Sequence, residues 1–189
     1  MTEKKLHPIL NVRSLALIDA LKKRILVLDG GLGTMIQQSS PTDKDFNLHA
    51  TGQCQCGHCR TSVNQSSAPS LKGCNDVLVL SAPAIIEGIH RAYLDAGADI
   101  IETDTFNANS LSLAEYGIPE MADKISLEGA RLARRVADSY TAEIGRPVWV
   151  AGSMGPTGKS LSMAATLGDD IDWDTMEKAF YNQAKSLIE

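Results

Sequence analysis

The sequence lacks a basic patch, a long apolar run and an export signal. Its formal net charge is −5 and its isoelectric point about 5.4, whereas general nucleic-acid binding wants clustered positive charge. No run approaches the ~20 apolar residues of a membrane span. The opening residues MTEKKLHPIL carry charge without an apolar h-region and do not read as a signal peptide. Cysteine is scarce, with four residues in all. Without an export signal the expected compartment is the cytoplasm, where disulfides are rare. What remains is ordinary globular composition, 43% hydrophobic and 22% charged, over a length that can supply one sizeable core.

Three short apolar runs each end in a small or acidic turn: ILVLDGG at 25–31, DIIETDTF at 99–106 and VWVAGSMGP at 148–156. They predict strands at about 25–29, 99–103 and 147–151. Helical patterns lie between and around them. Leu15, Ile18 and Leu21, with Ser14 as cap, predict a short helix through Lys23. Pro83 fits a first turn, Ile85, Ile86, Ile89 and Tyr93 share one face, and Gly97 sits where a C′ glycine belongs. Residues 120–142 predict another helix, and Asp172 caps a last one carrying Met176, Ala179, Phe180 and Leu187. The apolar stretch 76–80 reads as extended.

Strands alternating with long helices pair in parallel. In such sheets the loops leaving the carboxyl ends carry the chemistry. Three strand–helix units do not close a sheet, and a (β/α)8 barrel typically takes ~250 residues. A three-stranded parallel sheet would be unusually small and leave both edges unpaired. The chain therefore reads as the front part of a longer protein. Residues 1–24 form a lead-in and short helix, and 25–189 the α/β unit, interrupted at about 39–75 by a polar insertion.

Four groups of residues carry candidate chemistry. Asp29-Gly30-Gly31 makes a Cβ-poor turn that lets a ligand approach backbone N–H groups, with Asp29 aimed into the site; the plainer reading is a simple βα turn. The glycine spacing does not fit G-x-G-x-x-G, because Ile36 stands at the third glycine position. Glu102 and Asp104 flank Thr103 and, by strand alternation, point to the same side; they suit an ammonium group or a metal, or else cap a helix. The loop from Gly152 and Ser153 to Ser160 ends like a P-loop in Gly158-Lys159-Ser160. Ser153 replaces the opening glycine and Pro156 removes a donor, so a substrate-facing loop is the better reading. Cys54, Cys56 and Cys59, with Cys74 downstream, could make a zinc site, though the spacing is irregular and plain unpaired thiols are the simpler reading. His90 beside an apolar helix face reads as packing.

The segments ILVLDGGLGTMIQ, NDVLVLSAPAIIEGIHRAYLDAGADIIETDTFNANSLSLAEYG and VWVAGSMGPTGKSLS resemble the homocysteine S-methyltransferase family. Within it they resemble the N-terminal homocysteine-binding module of cobalamin-dependent methionine synthases. The resemblance runs from about residue 23 to 189, leaving out 50–70. It implies an enzyme: a TIM barrel, here its first three units, in which zinc lowers the thiol pKa of homocysteine so that the thiolate takes up a methyl group and becomes methionine. In that branch the methyl comes from methylcobalamin on another module of the same polypeptide, recharged from methyltetrahydrofolate on a further one.

The resemblance further implies that Asp29 and Glu102 hold the amino group of the substrate. Backbone N–H groups around Gly30, Gly31, Gly152 and Ser153 would serve its carboxylate or shape the pocket, with Asp104 a further candidate for binding the substrate. The family's zinc cysteines come from later strands, so its zinc ligands are expected beyond residue 189 and the isolated segment is expected to be inactive. Three rivals are a family member using S-methylmethionine or betaine, a metal- or thiol-binding regulatory protein built on the cysteine loop, and a nucleotide binder using Gly158-Lys159-Ser160.

Overall fold

A computed structural model of the chain describes residues 12–48, 70–162 and 171–189. Cys54, Cys56 and Cys59, and most of the polar insertion, lie outside the described residues. The elements run α1 (Val12–Leu21), α2 (Leu32–Gln38), a 3-10 turn (Asn75–Val77), α3 (Leu78–Ser81), α4 (Pro83–Asp95), β1 (Ile100–Glu102), α5 (Ser110–Ala114), a second 3-10 turn (Pro119–Met121), α6 (Ala122–Ile144), β2 (Trp149–Ala151) and α7 (Trp173–Ile188).

The sheet is parallel and ordered as in the chain. β1 pairs with β2, Ile100 opposite Trp149 and Glu102 opposite Ala151. On its other side β1 makes one parallel bridge to the first apolar run, Leu28 opposite Ile100. The Asp29 N–H donates to the Ile100 carbonyl at 2.9 Å, and the Ile100 N–H to the Val27 carbonyl at 3.1 Å. These strands are shorter than the five-residue runs expected. Ile25 is 88% exposed, and Val27 and Leu28 are also exposed, so the first run gains little from burial along most of its length. Among the described residues the sheet stays open and no barrel closes.

Local rules account for most of the helices. Pro83 opens α4 at its first turn. Gly97 ends it at φ +106°, with the Gly97 N–H bonded to the Leu94 carbonyl and the Ala98 N–H to the Tyr93 carbonyl, each at 3.0 Å, which is a Schellman ending. Asp172 caps α7, its side chain accepting from the Thr175 N–H at 2.8 Å. Two expectations are corrected. Ser14 lies inside α1, which begins at Val12, so it is no cap. The stretch 76–80 is helical, not extended. Val77, Leu78, Val79 and Leu80 are all buried, and a run buried all round gives no periodicity to tell helix from strand.

The larger core cluster joins α3, α4 and α6 and takes in Phe46, Leu48, Leu71 and Cys74, so both described ends of the insertion are packed. His90 is fully buried on α4 with neither ring nitrogen bonded among the described residues. Burial pushes it down to about 4, so it packs as a neutral ring. No single helix among the described residues is long and apolar enough to cross a membrane. The apolar pair Asn75–Ser81 and Pro83–Asp95 is bent by 109° and buries Leu78, Ile86 and Ile89 in the core.

The strands are pinned at their amino ends by Asp99, whose side chain is 4% exposed. It accepts both guanidinium nitrogens of Arg24 at 2.7 Å, Arg146 at 2.7 Å and the Val27 N–H at 3.0 Å. Arg24 precedes the first run and Arg146 precedes β2, so one carboxylate gathers all three. The hydrogen bonds from Arg24, aided by those from Val27 and Arg146, hold the Asp99 carboxyl well below the usual range. A carboxyl lowered in the folded state stabilises above its unfolded pKa of about 3.9, and that contribution is lost as pH falls through the folded value. Asp99→Asn should therefore lower the thermal midpoint at neutral pH by several degrees and flatten the loss of stability below about pH 4. Melting curves from pH 2 to 7 check this; an unchanged acid limb would contradict it.

Candidate functional site

The carboxyl ends of the strands meet around a cavity of about 380 Å³. Asp29, Gly30, Gly31, Glu102, Asp104 and Ser153 all line it, so six of the seven expected binding residues come together. Asp29 ends the stretch 25–29 expected as a strand in the first run. Its Oδ2 accepts the Glu102 N–H at 3.0 Å, tying the two strand ends together, while its Oδ1 is buried with no partner among the described residues. Burial, helped by the nearby Glu102, pushes Asp29 up to about 6. Glu102 is half-buried at the end of β1.

Behind them sit two buried acids. Asp104 is 6% exposed and Asp76 2%. Asp76 comes from the 3-10 turn before α3, and its Oδ1 accepts the Asn107 N–H at 2.8 Å. Burial pushes Asp104 up to about 8, and the neighbouring Asp76 pushes the same way. Burial also raises Asp76. Among the described residues no Lys, Arg or His lines the cavity, so its carboxyl groups have no cation among them. Its chemistry suits a ligand bearing an ammonium group.

Small contacts hold the loops in place. The Ser153 N–H donates to Thr103 Oγ1 at 2.9 Å, the Thr103 and Thr105 hydroxyls are 2.6 Å apart, and Thr105 Oγ1 donates to the Ser153 carbonyl at 2.8 Å. This closed ring locks the loop after β1 to the loop after β2. Gln183 on α7 adds a 2.7 Å bond to the Thr105 carbonyl. The Ser153 N–H is thus taken up by Thr103. Gly155 lies flat on Phe106; a Cβ there would come within 2.4 Å of that ring.

Other expected residues lie elsewhere. Gly152 faces a second cavity of about 670 Å³ between α1, α6, β2 and α7. A Cβ on it would meet Leu187 at 3.1 Å. The arginines of that cavity are paired, Arg13 and Arg134 with Asp138, Arg131 with Glu128 and Arg135 with Glu87. Gly158 backs onto the Glu115 carboxylate, 2.8 Å from where its Cβ would be, the opposite of a phosphate cradle. Thr103, Phe106 and Asn107 also line the acidic cavity and were not singled out from the sequence. Their only signal was position in the loop after β1.

A zinc ion does not fit the donors described here. Among the described residues no group of three or more His, Cys, Asp or Glu is placed to hold a metal. The Cys74 thiol is buried, and burial together with Asp76 pushes it up to about 12, far from the thiolate that zinc prefers.

Fold and site together define the class: a parallel α/β protein with an acidic, glycine-bordered pocket at the carboxyl ends of its strands. Residues 26–189 match the model of the homocysteine S-methyltransferase family, and the chain belongs to that family. The homocysteine methyltransferase MmuM from Escherichia coli in its metallated form is similar in fold, with TM-score 0.61 and 20% identity over 91% of this chain and 53% of that one. Its oxidized form matches with TM-score 0.61 and 21% identity over 94% of this chain and 53% of that one. The chain spans about half the length of these solved structures.

α6 reaches the site only because residue 129 is glycine: a Cβ there would stand 2.5 Å from Thr105 Cγ2. Gly129→Ala should cost about 1–3 kcal/mol by overpacking and displace the loop after β1. Denaturant titration measures this, and an unchanged midpoint would show that the contact is loose.

Proposed function

We propose that this chain supplies the amino-acid-binding part of a methyltransferase that moves a methyl group to homocysteine, giving methionine. On this reading its strand–helix units are the first three of a TIM barrel. The observation that carries it is the buried Asp29 Oδ1, which has no hydrogen-bond partner among the described residues and belongs to a cavity that no cationic side chain among them lines. An α-ammonium group brings three donors to that wall. Asp29 and Glu102 accept them, and the N–H groups of Gly30 and Gly31 serve the substrate carboxylate. Thr103, Thr105 and Ser153 keep the two loops at a fixed separation, which orients the bound amino acid.

The family chemistry that zinc supplies is a thiolate at neutral pH. Its donors are not among the residues described here, so this chain's own part is to bind and orient. Within the family we assign the chain to the methionine synthase branch, on the resemblance of its three motifs. There methylcobalamin and methyltetrahydrofolate belong to other modules of the polypeptide.

The test is calorimetric titration of the full polypeptide with L-homocysteine. Losing one charge-assisted hydrogen bond costs about 1.5–3 kcal/mol, or roughly 10–100-fold in affinity. Asp29→Ala and Glu102→Ala should each weaken binding by that order. Unchanged affinity in both variants would remove this cavity from the substrate site.

A further inference from the structure

The acidic cavity holds more carboxyls than one ammonium group can satisfy. Four side chains with carboxyl groups line it, Asp29, Asp76, Glu102 and Asp104, and no cationic side chain among the described residues lines it with them. Two of their oxygens, Asp29 Oδ1 and Asp104 Oδ2, are buried with no hydrogen-bond partner among the described residues. A buried, unpaired carboxylate oxygen is costly, and the cost falls when the group takes a proton or meets a donor. Burial and Asp76 both push Asp104 the same way. Asp76 and the neutral Cys74 stand at the turn before α3, and Asp29 and Glu102 line the same cavity from the strand ends. α6 brings Gly129 against Thr105 and the Ser126 hydroxyl to the Ala108 carbonyl, and α7 brings Gln183 to the Thr105 carbonyl, all of them neutral.

Resting on the amino-acid-binding reading above, we propose that the cavity exchanges a proton for its ligand: Asp104 is a neutral carboxylic acid in the free protein and releases its proton to solvent when an α-ammonium group docks between it and Asp29. At the cationic end of the cavity the ammonium group brings one positive charge as one proton leaves, while the ligand's own carboxylate lies toward Gly30 and Gly31. Asp104 is thus a specificity residue for the cationic end of the ligand, and it makes binding tighten as pH rises toward 8. The upward displacement of Asp104 by its burial and by Asp76 is in keeping with this.

Two measurements on the full polypeptide test the proposal. The first follows the carboxyl carbon of Asp104 by NMR against pH without ligand. Titration between pH 7 and 9 is expected, and an Asp104 fully charged at pH 6 would overturn the proposal whatever the chain binds.

The second is calorimetry at pH 7 in two buffers of different ionisation enthalpy. L-methionine is the probe, because it has no thiol proton to lose. About one proton should be released per methionine bound in the wild type and almost none in Asp104→Asn. Binding with no proton released would overturn this inference and leave the amino-acid-binding reading intact. Absence of binding would show as a missing isotherm and overturn both.

Discussion

The position of the site residues at the strand ends depends on where the first run, β1 and β2 begin, and Asp99 decides that. One buried carboxylate accepts Arg24, Arg146 and the Val27 N–H, so the first run, β1 and β2 start at a common level. Parallel strands of equal start then end together, which brings Asp29, Glu102 and Ser153 to one rim. The contribution of this hub is specificity of register more than bulk stability. Much of what a buried ion cluster gains by attraction it loses by desolvation.

At the opposite end the logic reverses. There no arginine among the described residues lines the cavity with the carboxyl groups. Asp29 spends one oxygen on the Glu102 N–H and keeps the other vacant. Asp76 spends one oxygen on Asn107, and Asp104 lies buried with its Oδ2 unbonded among the described residues. The same residue type is therefore held far below its usual range at the amino ends of the strands and raised at the carboxyl ends. Acids raised by burial and by one another in a cleft are a mark of a functional site. Here they accompany a family membership that stands on the sequence match from residue 26 to 189.

Much of this was legible in the sequence because the signals are local. Pro83 and Gly97 bound α4, Asp172 caps α7, and the three small-or-acidic turns mark the strand ends. Asp29, Glu102 and Asp104 could be nominated because they sit at those turns. What was not legible depends on distant pairs. Nothing in 76–80 says that its apolar residues are buried on every side and therefore helical. Nothing near Ser153 says that its N–H is consumed by Thr103, fifty residues earlier, or that Gly152 turns to the other cavity. Gly129 reads as a weak point in a helix until Thr105 is seen against it.

The most direct test of the account is an experimental structure of the full polypeptide with a bound amino acid. The account predicts the α-ammonium nitrogen within hydrogen-bonding distance of Asp29 Oδ1, and the bound carboxylate toward Gly30 and Gly31. An amino acid seated instead in the cavity between α6 and α7, or lying with its carboxylate against Asp29, would contradict it.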